Sequence, residues 1–377
     1  MRYIGNKTRL LPFILRVTEE LGISPGTMHD AFSGTASVGR AFKALGWRVA
    51  SSDIMTYSYV FQRAYVVAQR NPSFADLSAG VSHLGSVLHS RRFRDALAVR
   101  RSADGDGAAR GALAAMAEYL SSWVEPERGF VTEHFAPAGD RMYFTEENAG
   151  RIDAIRRRLH EWRVEGLIAD DAFYILLAAL IEGADRVANT AGVYAAYIKK
   201  WQPNARRPLV LTPMAPIRGP RGPTAHQGDA ASVALELGPV DLLYIDPPYN
   251  ARQYSGYYHV PEIIARGWYE SRPAIAGKTG LLTDRLQQSA WCSARKVEGA
   301  FAELLGATGA RHVLVSYNSE GLLPEATIRS TLERFAVDSR VRRYAQTYRR
   351  YRADGDHGGR NYRGGELREL LYYARLR

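Results

Sequence analysis

One cysteine, Cys292, stands in a chain of 377 residues, so neither an internal disulfide nor a multi-cysteine zinc site can form. The nine histidines, among them His29, His134, His226, His259 and His357, show no metal-ligand spacing, and no metal is expected. Long apolar runs are missing as well. The best of them, residues 172–181, is too short to cross a bilayer and has charges close on both sides. The opening residues Met1-Arg2-Tyr3-Ile4-Gly5-Asn6-Lys7 hold no apolar stretch of signal-peptide length. No internal repeat is found. Two nucleotide fingerprints are absent too. Without Gly-x-Gly-x-x-Gly the chain is unlike nicotinamide and flavin sites, and without the Lys-Ser/Thr end of a P-loop it is unlike a nucleoside triphosphatase. These absences point to a cytoplasmic protein with no membrane partner.

What the chain has in excess is positive charge. Fifty Lys and Arg against 39 Asp and Glu give a net +11, which suits a polyanionic partner because such side chains displace counterions from phosphates. A hydrophobic fraction of 46% is enough for a sizeable core. Apolar residues recur at helical spacing over residues 6–21, with Pro12 tolerable in a first turn and Gly22 as a stop. Residues 27–32 then read as a strand, 33–39 as a small-residue turn, 40–45 as a helix and 47–53 as a second strand ending in Asp53. Strand, turn, helix and strand within about thirty residues make the βαβ unit of nucleotide-binding α/β folds. From about residue 55 to 215 helical periodicity takes over, at 81–97, 111–123, 148–162 and 170–188. Residues 202–224, rich in Pro and Arg, read as a linker. Strand candidates return at 240–245, 312–317, 340–348 and 368–376, the last two forming a hairpin around the basic stretch 349–365. The organisation expected is a catalytic domain of residues 1–55 and 216–377, interrupted by a helical insertion at 56–215.

The sharpest chemical signal is Asp246-Pro247-Pro248-Tyr249 at the end of the strand 240–245. Two prolines cannot continue a ladder, so the chain turns out rigidly where an α/β sheet opens its ligand crevice. A planar aromatic amine wants that set. The Asp246 carboxylate and the Pro247 carbonyl can accept its two hydrogens while Tyr249 stacks on the ring. The second signal is Asp30-Ala31-Phe32-Ser33-Gly34-Thr35-Ala36-Ser37-Val38-Gly39, whose small residues let a ligand approach the backbone. Asp53, at the end of the next strand, is placed to accept the hydroxyls of a ribose. Two further signals are Arg2-Tyr3-Ile4-Gly5-Asn6-Lys7 and Gly228-Asp229-Ala230, which on their own read as helix starts, with Asp229 as an N-cap.

Taken in order, these motifs resemble the alpha group of adenine-specific DNA methyltransferases, the DNA adenine methylase family. That group runs from an N-terminal aromatic-x-Gly-Gly-Lys motif through a Phe-x-Gly-x-Gly turn and a target-recognition region to Asp-Pro-Pro-Tyr. The stretches 143–149, 189–194 and 317–321 are also similar to segments of the family. The resemblance implies a Rossmann-like S-adenosylmethionine-dependent methyltransferase sheet with a mostly helical inserted target-recognition domain. It implies that Tyr3 and Lys7 line the cofactor pocket, Phe32 and Gly34 form its turn, Asp53 holds the ribose and Asp229 contacts the cofactor's adenine amine. Asp246 would lie between cofactor and target, with Pro247, Pro248 and Tyr249 completing the catalytic set. Asn6 and Ala36 depart from the pattern where the family has glycine.

The expected reaction is methyl transfer from S-adenosyl-L-methionine to the N6 amine of an adenine flipped out of double-stranded DNA, with residues 249–258 closing over the base. The basic stretch Arg349, Arg350, Arg352, Arg360 and Arg363 suits phosphate contact. No base reader is named in the insertion, although it carries Arg91, Arg92, Arg94, Arg100, Arg101 and the run Arg156-Arg157-Arg158. A separate cognate restriction endonuclease is a candidate partner, and a monomer is the default. Three alternatives stay open at this point: an RNA adenine or guanine amine as acceptor, a cytosine N4 amine, or an inactive DNA-binding protein on the same fold.

Overall fold

The strands that lead into Asp30, Asp53 and Asp246 run parallel, and their ends gather at one edge of a sheet. The computed structural model of the protein describes residues 1–74, 76–77, 105–349 and 366–377. Its strands are β1 (Thr27–Asp30), β2 (Arg48–Asp53), β3 (Thr224–Gln227), β4 (Pro239–Ile245), β5 (Ile275–Ala276), β6 (Leu281–Leu282), β7 (Gly309–Asn318), β8 (Arg342–Arg349) and β9 (Glu366–Arg375). Seven form one sheet in the order β3-β2-β1-β4-β7-β9-β8, and β5 pairs with β6 separately. The first five strands of that order are mutually parallel, while β9 runs antiparallel to both β7 and β8. The strand order reverses at β1, which has β2 on one side and β4 on the other. A crevice opens at such a switch point, outside the carboxyl ends of the strands.

Leu242, Leu243, Tyr244 and Ile245 of β4 are all fully buried, the pattern of a strand covered on both faces. The helices Ala230–Leu237 and Val297–Ala307 pack together, and Phe301 and Leu304 enter one core cluster with Leu243, Ile245, Val313 and Val315. The N-terminal helix starts at Leu11 with proline in its first turn, behind a 3-10 turn at Lys7–Arg9.

The chain divides into two units. One takes Tyr3–Gln62, Gly219–Tyr257 and Asp284–Arg377 and holds the large sheet. The other takes Met1–Arg2, Arg63–Arg218 and Tyr258–Thr283 and is mostly helical. Two features of this division differ from the sequence reading. Residues 258–283, read there as part of the catalytic domain, group with the helices. The reason is local: Arg156 on the helix Glu146–Val164 is 4% exposed and donates to the carbonyls of Ile264 (2.9 Å) and Arg266 (3.3 Å), capping the helix His259–Arg266. The second difference is β3, a strand beginning at the end of the supposed linker. Among the described residues it pairs only with β2, and it has no fully buried residue, so it carries no apolar run to read.

The run Arg156-Arg157-Arg158 resolves into structural contacts. Arg157 forks onto Glu127 and Glu161, and Arg158 reaches Glu161 at 3.4 Å. Asn189, in the stretch 189–194, is fully buried. Its amide donates to Met142 and Ile198 and accepts from Gln202 N–H, which pins that loop. The expected helix at 81–97, together with Arg91, Arg92, Arg94, Arg100 and Arg101, lies outside the described residues, as do Arg350, Arg352, Arg360 and Arg363 of the basic hairpin tip.

Candidate active site

The ends of β1, β2 and β4 deliver three acids to one edge of the sheet: Asp30, Asp53 and Asp246. A cleft opens there, at the kind of place where small molecules bind open α/β sheets. The residues assigned from the sequence to catalysis and cofactor binding all line it: Tyr3, Lys7, Phe32, Gly34, Asp53, Asp229, Asp246, Pro247, Pro248 and Tyr249.

The turn after β1 forms one wall. Gly34 has φ +50°, and a Cβ built on it would stand 2.9 Å from the Tyr3 ring. Gly34 N–H donates to Asp53 Oδ2 at 2.9 Å, and Met55 N–H donates to Asp53 Oδ1 at 2.9 Å. The carboxylate at the end of β2 is therefore held in one orientation by two backbone amides. Both departures from the family pattern find a physical account. Ala36 has φ +57°, the left-handed region that glycine occupies freely. Asn6 caps the 3-10 turn, accepting from Thr8 N–H at 2.8 Å. Asp229 caps the helix Ala230–Leu237, accepting from Ala231 N–H at 3.0 Å, and also lies on the rim of the cleft. The capping and ligand-facing readings of this residue are thus compatible.

Gly34→Ala puts a side chain into that close approach and into an unfavourable backbone region. Tyr3 has to give way, so affinity for the S-adenosylmethionine that the family resemblance implies should fall about tenfold or more while the protein stays folded. Titration of intrinsic fluorescence with the donor would show it, and unchanged affinity would contradict the placement of this turn.

The other wall is built around a buried cation. Lys7 is 3% exposed and its ammonium lies 3.0 Å from Asp246 Oδ1 and 2.6 Å from Glu369 Oε1. It also donates to the Tyr249 hydroxyl, which in turn donates to Asp246 Oδ1. Burial works against the ammonium, yet Asp246 and Glu369 hold its pKa above the usual lysine value. Burial, opposed by Lys7 and helped by Glu369, leaves the Asp246 carboxyl raised to about 6. The Tyr249 ring packs edge-on against Tyr317, with centroids 5.4 Å apart.

Three contributors escaped the sequence reading. Trp291 packs edge-on to Phe32, centroids 4.8 Å apart, from a segment with no recognisable motif. Glu369 is fully buried on β9, a charge set among Leu370, Leu371 and Tyr372; that oddity in an apolar strand was the available signal. Asp30 was read only as the first residue of the turn motif. Its Oδ2 accepts from Gly39 N–H at 3.1 Å, whereas Oδ1 is buried with no hydrogen-bond partner among the described residues.

Burial, then the charges of Asp246 and Asp53, push the Asp30 carboxyl up to about 8. The folded protein thus keeps a proton that the unfolded chain releases near its ordinary value of 3.8. Stability from this group is full below that value and is lost as pH rises towards about 8. Asp30→Asn should remove the dependence. The variant should gain a few kcal/mol on the parent between pH 5 and pH 8, with no further gain above. Urea denaturation of both proteins at several pH values checks this.

A parallel sheet closed by an antiparallel hairpin, with acids at the ends of its first, second and fourth strands, defines an S-adenosylmethionine-dependent methyltransferase fold. Residues 3–284 match the family described as D12 class N6 adenine-specific DNA methyltransferase, and the chain belongs to that family. It is 34% identical over 377 residues to the type II methyltransferase M.FokI of Planomicrobium okeanokoites, covering 99% of this chain and 52% of the relative. With the type II methyltransferase M.NlaIII of Neisseria lactamica it shares 33% identity over 377 residues, covering 99% of this chain and 98% of the relative. Modification methylase LlaI of Lactococcus lactis subsp. lactis is 32% identical over 381 residues, covering 99% of this chain and 54% of the relative. The chain thus spans about half the length of M.FokI and LlaI and nearly all of M.NlaIII.

Proposed function

We propose that this chain is a site-specific DNA methyltransferase that places a methyl group on adenine N6, using S-adenosyl-L-methionine, as the modification partner of a separate restriction endonuclease. The observation that carries the proposal is the meeting of the Asp246-Pro247-Pro248-Tyr249 turn with the Gly34–Asp53 wall in one cleft of the family's sheet. The donor set fits the cofactor. Asp53 can take ribose hydroxyls, Asp229 the amine of its adenine, and the Gly34 turn leaves room that a Cβ would fill. When bound, that cofactor supplies an electrophilic methyl on a sulfonium, so the leaving group is neutral and needs no acid.

The protein's own task is to present the acceptor. An aromatic amine has its lone pair delocalised into the ring. Accepting its two hydrogens at Asp246 and at the Pro247 carbonyl favours pyramidal nitrogen and aims the lone pair at the methyl carbon. Positioning and fixed charge then supply most of the acceleration, with no covalent enzyme intermediate, and the methylated nitrogen sheds its extra proton to solvent after the methyl has arrived. In the structure the Tyr249 hydroxyl occupies Asp246. Base capture therefore exchanges that bond for the one from adenine N6 and frees the Tyr249 ring to stack on the flipped base. The helical unit is the proposed reader of the target sequence in double-stranded DNA, and the protein acts as a monomer.

Incubation with tritiated S-adenosylmethionine and, in parallel, unmethylated bacterial genomic DNA or total RNA, followed by nucleoside analysis, tests this. Label in N6-methyladenine is the expected result. Label in N4-methylcytosine, or in RNA alone, would replace the acceptor; donor binding without transfer to any nucleic acid would favour an inactive DNA-binding protein.

A further inference from the structure

We infer that Glu369 is a positioning residue of the transfer site: it holds the Lys7 ammonium partly away from Asp246, so that the Asp246 carboxylate stays open to the acceptor amine. The inference rests on the reading of Asp246 given above and adds a residue that lies outside the matched span of 3–284.

The geometry is specific. An ammonium has three donors and no acceptor, and here they serve Glu369, Asp246 and the Tyr249 hydroxyl. The shorter of the two carboxylate contacts is to Glu369, at 2.6 Å against 3.0 Å. Glu369 is itself fixed, accepting from Ser316 Oγ at 2.5 Å. Topology brings it there. Because β9 is antiparallel to β7, its early residue Glu369 pairs with Asn318 at the edge where β7 ends and β4 delivers Asp246.

A structural purpose alone would not call for this carboxylate. Asp246 already neutralises Lys7, and burying a second ionised acid costs several kcal/mol before any compensation. What the second acid changes is the division of the ammonium. With Asp246 as its only anionic partner, Lys7 would close onto it and occupy the lone pairs that the acceptor's amine hydrogens need. Among the described residues, the titratable groups facing Asp246 are Lys7, Glu369 on β9, Tyr249 in its own turn, Tyr244 on β4 and Asp30 on β1. Of these, Glu369 raises its proton affinity, and Lys7 and Tyr249 lower it.

The test is Glu369→Gln in the full chain, read two ways. The first needs no activity: the Asp246 side-chain carboxyl is titrated by carbon NMR in protein carrying labelled aspartate, with Asp246→Asn for assignment. Its midpoint should move to lower pH in Glu369→Gln and return towards the parent in Glu369→Asp, which restores the charge. The second is kinetic. kcat should fall by about 10- to 100-fold, with the KM for DNA and the Kd for S-adenosylmethionine changed less than about threefold, and the acid limb of the kcat profile should move to lower pH. In a Lys7→Met background, Glu369→Gln should cost no further rate, since the residue acts through Lys7. An unmoved Asp246 midpoint overturns the proposal, as does an unchanged kcat or a loss that adds fully to that of Lys7→Met. If the parent protein makes no N6-methyladenine, the functional reading fails by itself, and the NMR titration still decides whether Glu369 shapes this site.

Discussion

Replacing Asp246 with alanine should lower methyl transfer by at least about 10²- to 10³-fold, the loss found when one preorganised polar group at a reacting centre is removed. DNA binding should remain near that of the parent protein. Two features make the experiment clean. Asp246 is 12% exposed and ends a strand rather than filling the core. Removing it also leaves no stranded charge, because Lys7 keeps Glu369 at 2.6 Å as its partner. The variant should therefore fold and bind, and only the acceptor amine loses its hydrogen-bond acceptor. Single-turnover transfer to labelled DNA, set beside a gel-shift titration, separates the two quantities. A variant of near-normal rate would remove Asp246 from the mechanism.

Lys7→Met should behave in the opposite way, with a large loss of stability. Taking out the ammonium leaves two buried carboxylates, Asp246 and Glu369, with no cation between them. Breaking a buried pair by removing one partner typically costs about 3–5 kcal/mol. The sign of the pH dependence follows. Burial and Glu369 already raise the Asp246 carboxyl to about 6, and the downward pull of Lys7 would be gone. A carboxyl raised in the folded state gives its stability at low pH and loses it as pH rises through the folded value. Lys7→Met should therefore be closest to the parent near pH 5 and weakest above pH 7, as measured by urea denaturation. Adding Glu369→Gln to Lys7→Met should restore part of the lost stability, because one of the two unpaired charges is gone. If the double variant is less stable than Lys7→Met, the Lys7 site does not work as described.

The parts of this protein that could be read from its sequence are those governed by near neighbours along the chain. β4 and β7 announce themselves as apolar runs, β1 and β2 as the strands flanking a small-residue turn and a helix, and the Asp246-Pro247-Pro248-Tyr249 turn follows from proline chemistry alone. The pairing of β8 with β9 was legible as two strands around a basic stretch. The cap at Asp229 and the turn at Gly34 are likewise local events. β3 escaped because a short edge strand with no fully buried residue leaves no hydrophobic pattern. Residues 258–283 group with the helical unit although they follow the Asp246 turn in sequence, and nothing near them in the chain signals that Arg156 caps the helix His259–Arg266. Arg156 stood out in the sequence only as part of a basic run, since its burial depends on carbonyls more than a hundred residues away along the chain.

The same division runs through the candidate site. By itself the sequence determined a parallel α/β sheet, the identity of the acids at its strand ends and the turn that carries Asp246, because periodicity, glycine and proline act over a few residues. Only the tertiary structure decided the electrostatics. Lys7, Asp246 and Glu369 come from the N-terminus, the fourth strand and the ninth, and meet because β9 runs antiparallel beside β7. The interaction of buried charges depends on distance and on exclusion of water, neither of which spacing along a chain encodes.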